Sequence, residues 1–262
     1  MSDLVTVEVD GGVADVRLNR PEKYNALSPE MFKAIVAAGE RLAEAKEVRA
    51  VVLSGNGRGF CAGLDMASMQ GLGDSSRDAG DALLSHGDQV ENFAQRPAYV
   101  WKKLPVPTIA ALHGVAYGGG CQIALGADIR FAAPDAKISV MEIKWGLIPD
   151  MSITQTLRDL VPLDVAKELT FTGRVLNGEQ ARLVTHVADD PHAAAMELAR
   201  EIAGKSPDAV RAGKELFETS WHADARTGLE LESALQRKLI GTANQVEAVR
   251  SNFEKRAPEF ND

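Results

Sequence analysis

Apolar and polar residues alternate from Val5 to Val9 and again from Val13 to Leu18, on either side of Gly11-Gly12. A period of two broken by a glycine pair predicts a β-hairpin. The period then lengthens: Met31, Phe32, Ile35, Val36, Leu42 and Ala43 recur at helical spacing, behind Ser28 as a cap and Pro29 at the first helical position. "RAVVLSG", Arg49 to Gly55, is a short continuous apolar run and reads as a buried strand, and "TIAALHG" and "DIRFAA" repeat that pattern beside glycine-bearing turns. Strand, helix, strand in that order predicts right-handed crossovers and an α/β layer.

After Ile153 the pattern is helical, over Pro162 to Phe171, Gly178 to Leu183, Pro191 to Ala203, Ser206 to Thr219, Asp224 to Ile240 and Asn244 to Phe253. The chain therefore divides into an α/β core over 1–205 and a helical region over 206–262. Between the strands, Ala67 to Ala94 is rich in Gly, Ser and Asp with little apolar periodicity in its first half, and is expected to be a mobile loop able to cover a site.

Composition narrows the class. With 262 residues, 45% of them hydrophobic and 25% charged, the chain has enough apolar surface for a substantial core. A formal charge of −8 argues against a surface that collects nucleic acid or anionic lipid. Cys61 and Cys121 stand far apart among small apolar residues, the setting of reduced buried thiols. The first twenty residues lack a basic segment followed by an apolar one, no run approaches the roughly 18 apolar residues of a spanning helix, and "FND" is no peroxisomal address. A cytoplasmic protein is expected.

The chemistry concentrates around "AYGGGCQIALGAD". Three consecutive glycines, Gly118 to Gly120, weaken either a strand or a helix, so bare backbone is needed there for a close approach by a ligand or by another part of the protein. Nucleotide loops do not account for them. Gly55, Gly57 and Gly59 follow a strand, but Phe60 occupies a position where a dinucleotide fingerprint needs a small residue, and no G-x-x-x-x-G-K-[ST] occurs. The five histidines form no short pair and the cysteines no C-x-x-C, so no metal site is expected. His113, at a strand end, reads as a hydrogen-bonded structural residue rather than a base.

The run from Ile109 to Ile129, "IAALHGVAYGGGCQIALGADI", resembles the signature of the crotonase family, the enoyl-CoA hydratases and isomerases. The likeness extends over almost the whole chain through "LNRPEKYNALS" (18–28), "GFCAGLDM" (59–66), "GLIPD" (146–150), "ELTFTGRVLNGEQARLVTHV" (168–187) and "NFEKR" (252–256). The resemblance implies a spiral of ββα units with a C-terminal helical region that assembles trimers or dimers of trimers. It implies acyl thioesters of coenzyme A as substrates, with no permanently bound cofactor. Their carbonyl oxygen gains negative charge as an enolate forms, and the family meets it with two backbone N–H groups. By motif these are the amides of Leu64 and Gly119.

In the family's hydratases two glutamates flank the double bond. The first of those positions is Gln122 here, and an amide takes up no proton near neutral pH; the second is Glu142. Eight residues on, where hydratases usually carry glycine, stands Asp150. The pair Glu142 and Asp150 resembles the dienoyl-CoA isomerase branch, in which one acid removes a proton and the other returns one farther along the acyl chain. Gln122 is then a supporting residue hydrogen-bonded to Glu142. Apolar Trp145, Leu147 and Ile148 are expected to bury the acids and raise their pKa values.

Carried over in the same way, Lys23, Ala26, Leu27, Ala62, Leu64, Asp65, Met66, Ala67, Tyr117, Gly118 and Gly119 line the substrate and coenzyme path, and Lys255 meets the ribose phosphate. Leu229, Leu231, Leu235, Leu239 and Ile240 offer apolar faces for assembly. Hydration of a trans-2-enoyl-CoA through Glu142 is the alternative reaction. A non-catalytic acyl-CoA-binding adaptor is the alternative of another class.

Overall fold

The computed structural model describes residues 4–65 and 84–262. Its first elements are the expected hairpin: β1 (Val5–Asp10) pairs antiparallel with β2 (Val13–Leu18) across the two glycines. Ser28 then accepts from the Met31 amide and starts α1 (Pro29–Glu44), whose Met31, Phe32, Ile35, Val36 and Leu42 are buried. Ala43, placed on the same stripe by spacing, is exposed, because the buried stripe passes through Ala38, Gly39 and Leu42 instead.

β2 continues parallel to β3 (Ala50–Gly55), which pairs with β4 (Thr108–Leu112), then β6 (Ile129–Ala132) and finally β8 (His186–Val187). Both faces of β3 are covered. Val51 and Leu53 join the large core with Ala110 and Leu112, while Ala50 and Val52 face the other way with Ile109 and Ala111. The second face is closed by α6 (Pro191–Ala203), whose Ala195, Ala199 and Ala203 recur every four residues and let the helix lie close.

A second, smaller layer gives the fold its spiral. β5 (Val115–Tyr117) pairs with β7 (Lys137–Ser139), and single bridges extend that layer to Cys61 on one side and Leu176 on the other. Each turn of the spiral thus runs from a strand of the large sheet to a short strand of the small one: β3 to Cys61, β4 to β5, β6 to β7. Short helices follow, α2 (Arg96–Lys102) before β4 and α3 (Gly119–Leu125) after β5. The chain then passes through a 3-10 turn (Glu142–Trp145), α4 (Ile153–Thr156) and α5 (Leu163–Thr172).

The expected helix over Gly178 to Leu183 is absent; the segment is a series of turns. Asn177 and Gln180 exchange side-chain bonds with each other's backbone amides, and a Cβ at Gly178 would lie 2.1 Å from the Ala133 carbonyl oxygen. Local side-chain bonds and a tight tertiary contact win over an apolar spacing. Of the predicted loop 67–94, residues 67–83 lie outside the described residues. Its end is packed: Glu91 and Asn92 are buried and Phe93 stacks on Phe32 with ring centres 5.6 Å apart.

The C-terminal helices are α7 (Pro207–Ser220), α8 (Ala225–Leu239) and α9 (Ala243–Glu254). Of the apolar residues singled out there, Leu235 is buried, Leu231 and Leu239 are half-buried, and Leu229 and Ile240 are exposed. Among the described residues no helix is long and apolar enough to cross a membrane, and no His, Cys, Asp and Glu cluster is placed to hold a metal.

Candidate active site

Two consecutive turns of the spiral run side by side. Leaving β3, the chain is held by the fully buried Asn25, whose Nδ2 lies within 3.1 Å of the carbonyl oxygens of Asn56, Gly59 and Phe60. Cys61 then donates to the Val115 carbonyl at 2.9 Å and accepts from the Tyr117 amide at 3.0 Å. This pairing fixes the register of Ala62 to Asp65 against Tyr117 to Gly120. Gly63, at φ +84°, lets the two segments approach closely: a Cβ there would lie 2.7 Å from the Tyr117 carbonyl oxygen and 3.6 Å from the Gly119 nitrogen.

The segment Lys23 to Leu27 packs beside both. Leu27 donates to Gly63 at 2.8 Å and accepts from Asp65 at 3.0 Å, so both neighbours of Leu64 are tied down. Ala62 donates to Tyr24 at 2.9 Å. Arg20 bonds both the Ala26 carbonyl and the Asp65 carboxylate at 3.0 Å, bracing the same corner. Across the gap, Gly118 donates to Ser139 at 2.9 Å and Gln122 to the Gly118 carbonyl at 3.0 Å. The amides of Leu64 and Gly119 have no acceptor among the described residues. Two adjacent, unclaimed N–H groups are therefore what the register leaves over.

The three glycines have separate causes. Gly118 adopts φ +52°, and a Cβ on it would lie 3.3 Å from Glu142 Oε1. At Gly119 a Cβ would strike Met151 Sδ at 2.7 Å and Leu27 Cδ1 at 2.8 Å. At Gly120 it would meet the Cys61 carbonyl oxygen at 2.5 Å. The triplet thus serves protein packing as well as an open backbone. Cys61, sealed under this contact, is an unpaired thiol whose pKa burial pushes up to about 12.

The acids sit on the facing turn. Glu142 opens the 3-10 turn, which Gly146 ends in the left-handed conformation at φ +72°. Glu142 Oε1 accepts from Gln122 Nε2 at 2.6 Å, and Gln122 Oε1 in turn accepts from the Met151 amide at 2.8 Å. Glu142 Oε2 is buried without a partner. Burial raises the Glu142 pKa, the Gln122 bond opposes that rise, and the charge of Asp150 adds to it. Asp150 reaches solvent, yet desolvation by its surroundings pushes its pKa up as well.

The reason is not the one expected. Trp145, Leu147 and Ile148 are all exposed, Ile148 at 75%, so they form no sealed apolar cover. Glu142 is enclosed from the other side, by Gly118 and the fully buried Gln122.

The structure therefore brings together Lys23, Ala26, Leu27, Ala62, Leu64, Asp65, Tyr117, Gly118, Gly119, Gln122, Glu142 and Asp150, with Lys23 exposed at the rim. Met66 and Ala67 lie outside the described residues. Lys255 is not joined to this group: it is exposed at the end of α9, at φ +54°. Asn25, Arg20 and Met151, which hold the two turns, were not anticipated. Asn25 and Arg20 lie inside a recognised motif, but only their long-range partners reveal their work. A cavity of about 550 Å³ lies elsewhere, between α7 and the start of β6, and its Lys214 and Asp128 are already paired at 2.8 Å.

Comparison with known proteins agrees with this architecture. The family described as "Enoyl-CoA hydratase/isomerase" matches residues 8–262. Mouse mitochondrial methylglutaconyl-CoA hydratase is 34% identical over 263 residues, covering 97% of this chain and 81% of that protein. Mouse mitochondrial enoyl-CoA hydratase domain-containing protein 2 is 35% identical over 262 residues, 95% of this chain and 84% of its own. The crystal structure of enoyl-CoA hydratase from Bacillus anthracis superposes with a TM-score of 0.88 at 30% identity, covering 98% of both chains. With the paired spiral turns, the glycine-lined amides and the half-buried glutamate in place, the chain belongs to the enoyl-CoA hydratase/isomerase family of enzymes acting on coenzyme A thioesters.

Proposed function

We propose that this enzyme shifts double bonds along an unsaturated acyl-CoA, with Glu142 and Asp150 as its two proton-transfer groups. The observation that carries the reading is the buried, partnerless Oε2 of Glu142, on a turn that also carries a second acid whose charge Glu142 feels. The thioester oxygen lies between the Leu64 and Gly119 amides, where the enolate charge is met by preorganised donors. Glu142 Oε2, ionised, takes a proton from the acyl carbon; the electron pair moves through the conjugated system to the thioester oxygen. Asp150, protonated, delivers a proton to the far carbon as the electrons return. Both carboxyls have raised pKa values, which favours one proton being held by the pair, and the solvent contact of Asp150 lets the pair exchange protons and reset.

Lys23, Ala26, Leu27, Ala62, Asp65 and Tyr117 line the path of the coenzyme in this reading, and Lys255 meets its ribose phosphate from a neighbouring copy. A homotrimer or a dimer of trimers covers the exposed apolar residues of the C-terminal helices.

A second reading is hydration of a trans-2-enoyl-CoA by Glu142 alone, favoured by the hydratase names of the relatives. The two separate in heavy water, with 3,5-dienoyl-CoA and trans-2-enoyl-CoA followed by absorbance and deuterium uptake. Diene isomerisation lost in both Glu142→Gln and Asp150→Asn supports the isomerase. Water addition that needs Glu142 but ignores Asp150 supports the hydratase, and no turnover of either thioester leaves a binding role.

A further inference from the structure

Gln122 is fully buried and uses both ends of its amide on one turn of chain. Its Nε2 donates to Glu142 Oε1 at 2.6 Å, at the start of the acid turn. Its Oε1 accepts from the Met151 amide at 2.8 Å, one residue beyond Asp150. No other side chain in the described residues bonds both ends of that turn. From this geometry we infer that Gln122 is a positioning residue, a clamp that sets the separation of Glu142 and Asp150 and, by engaging Oε1, leaves Oε2 as the Glu142 oxygen free to move a proton; its catalytic consequence rests on the function proposed above.

The amide suits this work in a way a carboxylate does not. One atom of the side chain must donate to an ionised Glu142 while the other accepts from a backbone N–H. A glutamate at 122 does both only while it holds a proton, and an ionised pair at this distance would repel. An aliphatic side chain does neither. An amide also takes up no proton near neutral pH, so Gln122 cannot act as the base for an attacking water as a second acid would.

Other titrating or charged groups near this turn are few. Asp150 and the Cys121 thiol interact with the Glu142 charge. The same turn carries Lys144, set against Trp145, and α5, packed on it, carries Lys167 and the exposed Glu168–Arg174 ion pair.

The test compares wild type, Gln122→Met, Gln122→Glu and Glu142→Gln in the full-length protein. The protonated carboxyl stretch of Glu142 is identified in infrared spectra as the band lost in Glu142→Gln, and is titrated without substrate. In Gln122→Met its midpoint should move to higher pH, since the donor that favours the charged form is gone. Turnover of the diene should fall on the order of tenfold in kcat with little change in KM, and the acid limb of its pH profile should move the same way. Gln122→Glu should keep activity only on the acid side, where the new pair shares a proton, which also serves should Gln122→Met not fold. An unmoved infrared midpoint and unmoved pH limbs, with Glu142→Gln inactive, would overturn the clamp alone. Full diene turnover in Glu142→Gln would instead overturn the proposed reaction, while the infrared titration still decides whether the clamp exists.

Discussion

The turn at Tyr117–Gly120 and the turn at Glu142–Asp150 meet where Gly118 faces Glu142, and they are held in different ways. The glycine turn is tightly packed: the amides of Tyr117 and Gly118 are paired with Cys61 and Ser139, and the would-be Cβ positions of Gly119 and Gly120 are filled by Met151, Leu27 and Cys61. The acid turn is open, with Ile143, Trp145, Leu147 and Ile148 exposed, and its two ends depend on one amide for their shared anchor. In the proposed reaction the donors for a developing oxyanion are thus preorganised by the fold itself, where movement would cost a packed core. The two acids of that proposal are placed by few contacts, where a change of residue leaves the scaffold standing.

The sharpest way to break this contrast is to add a methyl group at the tightest point of the glycine turn. Gly120→Ala should cost about 3 kcal/mol or more, because the new Cβ would enter the space of the Cys61 carbonyl, 2.5 Å away; denaturant unfolding measures it, and a loss near zero would mean the two spiral turns separate easily. Next in size, Glu142→Gln should lower turnover by roughly 10²–10⁴-fold while leaving circular dichroism unchanged. Parental turnover would remove Glu142 from the chemistry.

A smaller effect is expected in the pH dependence of stability. The Glu142 pKa is raised in the folded state, so the folded protein binds that proton more tightly than the unfolded chain. Its contribution is full below the ordinary glutamate pKa and is lost as pH rises through the raised one. Glu142→Gln should therefore unfold later than wild type at about pH 8 and together with it at about pH 4. The opposite order in thermal melts would show that the carboxylate is stabilised by the fold. The smallest effect belongs to the open turn: Trp145→Ala and Ile148→Ser should each change stability by less than about 0.5 kcal/mol. A larger loss, or one that grows with protein concentration, would place this surface in a contact between copies.

Much of the scaffold was legible before any coordinates. The Gly11-Gly12 hairpin, the Ser28-Pro29 start of α1 and the buried strands beginning at Ala50 and Thr108 follow from period, caps and turn residues, which are local. Gly178 to Leu183 misled because an apolar spacing says nothing of the Ala133 carbonyl pressed against Gly178. Trp145, Leu147 and Ile148 depart from expectation for a related reason: apolar character does not ensure burial, and enclosure of Glu142 comes from α3, twenty residues earlier in the chain.

Sequence by itself determined the residue types of the site: bare backbone at 118–120, an amide at 122, carboxylates at 142 and 150. Tertiary structure alone decided which backbone amides go unclaimed and which carboxylate oxygen has no partner. Those outcomes depend on the register between spiral turns and on bonds from Gln122 to residues 20 and 29 positions away. A hydrogen bond is made or withheld by a shift of about an ångström, and such a shift is set by the packing of the whole spiral rather than by any stretch of sequence within it.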